Sequence, residues 1–175
     1  MRLVFVAIGT LLALASAQTA LAVETFYLKI PGITGDSHGL IPVNSFSDSI
    51  TNTFNAASGQ SARPSCSPLQ VVKELDNSSP ELFMSVASGH VYKTIELEAF
   101  TTNGGAGGML VMFLHLTLTN AVISAVSLGG DVSGSARTET VTINSEKIEV
   151  QYTPLRGETG GTPPPAMVTC GGAAD

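Results

Sequence analysis

Apolar and polar residues alternate with period two along most of this chain, and one interval departs from it. Residues 24–30 (ETFYLKI) place Phe26, Leu28 and Ile30 on one face and Tyr27 and Lys29 on the other, the pattern of a half-buried strand. Pro31-Gly32 and residues 35–39 (GDSHG) are turn chemistry. A second strand over 40–50 carries Ile41, Val43 and Phe46 and fades into polar residues. Val71 and Val72 begin a β-branched run that Leu75 closes, and Ile95, Leu97 and Ala99 alternate with Thr94, Glu96 and Glu98. The longest apolar run, 109–128, sets Leu114, Leu116 and Leu118 against His115, Thr117 and Thr119, so it is a strand. Asn120 marks a shift in that pattern, after which Val122, Ile123 and Val126 continue it. Val141 and Ile143, then Ile148, Val150 and Tyr152, alternate in the last two strands.

The departure lies at 76–89. Asp76-Asn77-Ser78-Ser79 offers short polar side chains that bond to nearby backbone and end the extended run. Ser79 suits a helix cap, Pro80 its first position and Glu81 its positive end. Leu82, Phe83, Val86 and Ala87 recur at helical spacing, and Gly89 is the stop, which predicts a short helix over 80–88. Residues 51–67 read as a loop, 103–108 as a glycine-rich hairpin tip and 131–137 as a polar loop. The segment from Pro154 onward, Gly- and Pro-rich, is expected to wander. The fold class is mainly β: an antiparallel β-barrel of two packed sheets with one short α-helix.

The first residues change the picture of where the chain works. Met1-Arg2 is followed by an apolar run to Ala15 and by small-residue sites at 15–17 and 20–22, the layout of a secretory signal peptide. The run falls short of the ~20 apolar residues of a membrane span. Cleavage is expected after Ala22, with Ala17 as the other site, leaving a secreted or periplasmic domain over 23–153 and a tail over 154–175. No membrane contact is expected once the leader is removed. Eight Lys and Arg against fourteen Asp and Glu give a net charge of −6, and tryptophan is absent. Nucleic-acid binding wants a basic face with stacking aromatics, so it is excluded as a class. In an oxidising compartment Cys66 and Cys170 form a candidate disulfide that ties the tail back to the 51–67 loop. Two free thiols, or a bond between subunits, are the alternatives.

Candidate chemistry is sparse. His38 lies in a turn, His90 follows the helix and His115 sits on a strand face, with no metal-binding spacing among them. Ser37 and His38 beside Asp36 or Asp48 suggest a triad only on paper, because sequence neighbours cannot build one. Glu96 and Glu98 share a strand face and read as solvated. The glycine run at 104–108 precedes a strand, whereas a phosphate-binding loop needs a lysine and a helix start. Neither catalytic, cofactor-binding nor metal residues are assigned, and no cofactor is expected.

Three separated blocks carry a resemblance. The first holds Lys73, Asp76, Ser79, Pro80 and Leu82, then Lys93 and Leu97, with a forerunner at 27–37 (YLKIPGITGDS). The second is Leu118, Val122, Ser124, Ser127, Gly129 and Gly130. The third runs from Glu139 through Val141, Ile143, Asn144, Lys147 and Ile148 to Tyr152. Together they closely resemble the Hcp family, the inner-tube proteins of type VI secretion. The resemblance implies an Hcp-like barrel and a structural, non-enzymatic subunit that joins into hexameric rings. It also implies a lumen able to hold effector proteins, with effectors or other secretion-system proteins as partners. Tube subunits of that family assemble in the cytoplasm without a cleaved leader. The alternative is therefore a secreted binding module, monomeric or a small oligomer, that keeps the fold and has diverged in role.

Overall fold

The computed structural model describes residues 23–103, 109–130, 137–155 and 161–170. The expected leader at 1–22, the glycine tip at 104–108 and most of the 131–137 loop lie outside the described residues. Among the described residues the strands, in chain order, begin with β1 (Glu24–Lys29), β2 (Ile41–Val43), β3 (Ser45–Ser47) and β4 (Ile50–Thr51). There follow β5 (Phe54–Asn55), β6 (Gln60–Ser61), β7 (Ser65–Cys66) and β8 (Leu69–Glu74). Then come α1 (Ser79–Ser88), β9 (Val91–Asn103), β10 (Met109–Gly129), β11 (Thr138–Tyr152) and β12 (Ala166–Thr169).

Eight strands form one antiparallel sheet in the order β2, β1, β9, β10, β11, β8, β3, with β12 added on β11. A single residue brings its two ends together. Asn44 separates β2, which pairs with β1, from β3, which pairs with β8, and the Asn44 N–H donates to Val72 O at 2.8 Å. The segment from Ile41 to Ser47 thus changes partner midway and draws the two ends of the sheet into a nearly closed barrel. The two packed layers expected from the sequence are halves of this one sheet.

The interior collects alternate residues of each strand: Leu28, Ile41, Leu69, Val71, Ile95, Leu97, Leu118, Val141 and Ile143 are all buried. The shift expected at Asn120 is a left-handed residue, φ 49°. Inward positions on β10 pass from Leu118 to Ala121, three residues and not two. The neighbours change step at the same level, from Ile95 to Tyr92 on β9 and from Ile148 to Ser145 on β11, so the ladders stay in register. Asn tolerates this conformation better than most residues, and its amide donates to Glu146 Oε2 at 2.5 Å.

α1 begins one residue earlier than expected. Ser78 is the N-cap and makes no capping bond through its side chain, while Ser79 is the first helical residue. Gly89 ends the helix at φ 62°, as its position predicted. The buried stripe is Ser79, Leu82 and Ser85, whereas Phe83 and Ala87, expected inside, face outward. A three-turn helix lying on a curved sheet buries only a narrow i, i+3 line.

Two loops prove ordered. Residues 51–67 contain two short ladders, β4 with β7 and β5 with β6, in place of the plain loop expected. The tail does not wander throughout: β12 pairs antiparallel with β11, Lys147 opposite Thr169. Cys66 on β7 and Cys170, next after β12, are bonded to each other.

Candidate functional site

The residues of the first motif block meet inside the molecule. On β8 the inward positions are Leu69, Val71 and Lys73, so the lysine occupies a core position and is fully buried. A buried ammonium is tolerable only when its donors are used. Lys73 Nζ donates to Glu74 O at 2.6 Å, to Asp76 Oδ1 at 2.8 Å and to Glu139 Oε1 at 2.7 Å. Glu139 stands directly opposite Lys73 in the ladder between β8 and β11, and it too is buried.

The turn into α1 closes the same network. Ser79 Oγ donates to Glu139 Oε1 at 2.8 Å and accepts the Asp76 N–H at 3.1 Å. The Ser78 N–H and hydroxyl donate to Asp76 Oδ1 at 2.8 and 2.5 Å. Burial by itself raises the Asp76 pKa, but the hydrogen bonds from Lys73 and Ser78 outweigh it and hold the carboxyl below its ordinary value. One cation and two carboxylates therefore fasten the helix start to two strands. Lys73 and Glu139 are fully buried and Asp76 is nearly so, which suits a set whose work is to fix shape. Networks of this kind specify one arrangement because a partly bonded one is costly.

The outer face of the barrel carries a second group. Lys29 Nζ bonds Glu96 Oε2 at 2.8 Å, and that bond holds the lysine pKa above its ordinary value. His115 lies opposite Glu98 in the ladder between β9 and β10, its Nε2 3.8 Å from Glu96 Oε2. Glu96, Glu98 and His115 place one possible ligand atom each within 4.8 Å of one another. The sequence reading took the two glutamates as solvated and did not connect them with His115. Lys29 already neutralises Glu96 there. His38 sits in a turn at φ 53°, and Asp36 accepts a hydrogen bond from Asn77, so neither takes part in this group.

An open groove of about 470 Å³ runs between α1 and the turn after β1, lined by Pro31, Ile33, Pro80, Met84, His90 and Tyr92 among others. His90 packs edge-on against Tyr92, whose hydroxyl donates to Ser85 Oγ at 2.9 Å. The groove is mainly apolar, with Glu81, Ser85, Ser88 and His90 as polar members of its lining.

With this geometry in place, the comparison with known proteins is direct. A family model described as the type VI secretion system effector Hcp matches residues 27–152, the span that runs from within β1 to the end of β11. This chain belongs to the Hcp family. Protein hcp1 of Pseudomonas aeruginosa is 33% identical over 90 residues, 51% of this chain and 54% of that protein. The chain thus matches about half the length of that curated relative. The crystal structure of Hcp1 from Salmonella typhimurium has 26% identity and a TM-score of 0.64, covering 83% of this chain and 94% of that one. A structure described as a type six secretion system protein superposes with a TM-score of 0.73 at 21% identity, covering 84% of this chain and 96% of that one. The latter likeness speaks for the fold alone.

In this Hcp chain the motif residues Lys73, Asp76 and Ser79 are brought together, and Glu139 of the third block completes them across 60 residues or more. That partnership was not read from the sequence, yet a signal was present. Lys73 shares the inward parity of Leu69 and Val71, and Glu139 that of Val141 and Ile143. Opposite charges at core positions of two strands point to a buried pair.

Proposed function

We propose that this Hcp-family chain is a non-enzymatic structural subunit of type VI secretion that closes into hexameric rings whose lumen holds small effector proteins. The observation that carries the reading is the family match over 27–152, from within β1 to the end of β11. Hcp is a family of structural secretion proteins, and its members form ring oligomers. The burial of Lys73, Ser79 and Glu139 supports it further, since Lys73 Nζ and Ser79 Oγ both bond Glu139 Oε1 within the fold. A cyclic ring needs one heterologous surface used repeatedly until the rotation closes. The mature protein is the barrel over 23–153 with the tail over 154–175, released after Ala22 to the periplasm or the exterior. Among the described residues no helix is long and apolar enough to cross a membrane.

The test is light scattering on the purified mature chain together with electron micrographs. Six-fold rings are the expected result, and a clean monomer at micromolar concentration overturns the ring. N-terminal sequencing of the exported product should begin at Val23, while a product starting at Met1 overturns the leader.

A second reading, a secreted binding module of the same fold, is favoured by one observation. The pattern at 1–22 directs a chain through the general export route, away from the cytoplasm where tube subunits assemble. On this reading the scattering gives a monomer or small oligomer, with no rings in the micrographs.

A further inference from the structure

We propose that the outer edge of β11 over residues 147–150 is a strand-docking site for the tail strand of a second copy, so that β12 is exchanged between neighbouring chains. The proposal stands apart from the ring reading, and the strand it moves, β12, lies beyond the family match, which ends at 152.

The β8-facing edge of β11 is used in two parts. Residues 138–143 pair with β8, and residues 147–150 pair with β12. Without β12 the second part is an open edge, a ready template for another strand. Its complement is known because the structure shows it: Lys147, Ile148, Glu149 and Val150 face Thr169, Val168, Met167 and Ala166. Beyond this ladder the Cys170 N–H donates to Glu146 O at 2.8 Å.

The ladder is indifferent to which copy supplies the strand. Ala166, Met167 and Thr169 are exposed and Val168 is half-buried, so docking rests on main-chain hydrogen bonds and not on a side-chain pocket. Residues 153–165 (TPLRGETGGTPPP) join β11 to β12. Extended, they reach roughly 40 Å, more than the ~30 Å width of a small domain. Exchange of an identical element through such a connector is a low-cost route to association. Cys170 directly follows β12, so a tail docked in trans brings it to Cys66 of the acceptor copy. Oxidised glutathione then closes the bond: both thiols lose their protons, and the two electrons reduce the oxidant to two glutathione thiols.

The experiment mixes equal amounts of unlabelled and nitrogen-15 mature chain. The mixture is reduced, unfolded and refolded in glutathione buffer over a range of concentrations. Digestion without reduction and mass spectrometry then read the peptide joined through Cys66 and Cys170. Mixed-label peptide is expected, rising with concentration toward half of the total. Like-label peptide alone at every concentration overturns the proposal. Val168→Pro supplies the control: its N–H lies two residues before that of Cys170, on the edge facing β11, so proline removes a ladder donor. The yield of mixed-label peptide should fall several-fold in this variant, and an unchanged yield means collision in place of docking and overturns the proposal. Because rings are read by scattering and exchange by isotope mixing, either idea can fail while the other stands.

Discussion

Lys73 Nζ lies 2.7 Å from Glu139 Oε1, and neither side chain has any exposed surface. The two are cross-strand partners on β8 and β11, so the ladder itself sets their distance. Asp76, 8% exposed and also bonded to Lys73, makes the pair a triad with one excess negative charge. Removing one member of a buried pair leaves the other uncompensated, which costs about 3–5 kcal/mol. Lys73→Met leaves two carboxylates without their cation and should lower unfolding stability by that amount in urea titrations. Glu139→Ala leaves Lys73 bonded to Asp76 and should lower it by less. The Lys73→Met/Glu139→Leu double variant should lose less than the sum of the singles. Strict additivity would show that the two charges do not interact.

The same network sets a sign for acid unfolding. The Asp76 pKa is lowered in the folded state from its ordinary value of 3.8. Its stabilisation is therefore fully present above 3.8 and fades as pH falls through the lower folded value. Calorimetry between pH 5 and pH 2 should show a steep loss of Tm for the wild type and a shallower one for Asp76→Asn. Equal slopes would remove Asp76 from the account.

Asp48 carries the opposite sign. Burial raises its pKa above 3.8, against a smaller lowering by the Ser49 N–H, and its Oδ1 has no hydrogen-bond partner. A raised carboxyl favours folding below 3.8 and loses that contribution as pH rises through the folded value, so ionised Asp48 is a liability near neutrality. Asp48→Asn should raise Tm slightly at pH 7 and leave it unchanged at pH 3. A loss at pH 7 would contradict this.

Asn120 should tolerate few replacements. At φ 49° a β-branched residue is strained by about 1–2 kcal/mol, and the bond to Glu146 is lost as well. Asn120→Val should therefore destabilise by at least that much. Asn120→Gly, free of the backbone strain, should lose only about 1 kcal/mol. Similar losses in the two variants would assign the whole effect to the side-chain bond.

The bond between Cys66 and Cys170 closes a separation of 104 residues. The chain-entropy model gives up to about 4–5 kcal/mol for such a closure. Reduction, or the Cys66→Ser/Cys170→Ser double variant, should lower urea stability by a few kcal/mol. It should also speed amide exchange at 147–150 before the rest of the barrel opens. Uniform exchange would mean that β12 holds its place without the bond.

Much of this protein could be read along the chain. The alternation in β9, β10 and β11, the helix after Asp76, its stop at Gly89 and the break at Asn120 follow from neighbours a few residues apart. Local sterics and local hydrogen bonding decide such features, and they are written in the residues themselves. The direction of Phe83 was misread because helical spacing identifies a stripe without saying how wide a strip of sheet will cover it. β12 was missed because Ala-Met-Val-Thr after three prolines has no strand signal until an edge is offered to it.

By itself, the sequence determined an antiparallel β domain with one short helix and the three blocks that mark the family. Only the tertiary structure decided that Asn44 draws the ends of the sheet together, that Glu139 answers Lys73, and that the tail returns to β11. Each of these joins groups far apart in the chain, and such contacts exist only once a sheet has curled far enough to bring its distant strands within hydrogen-bonding reach.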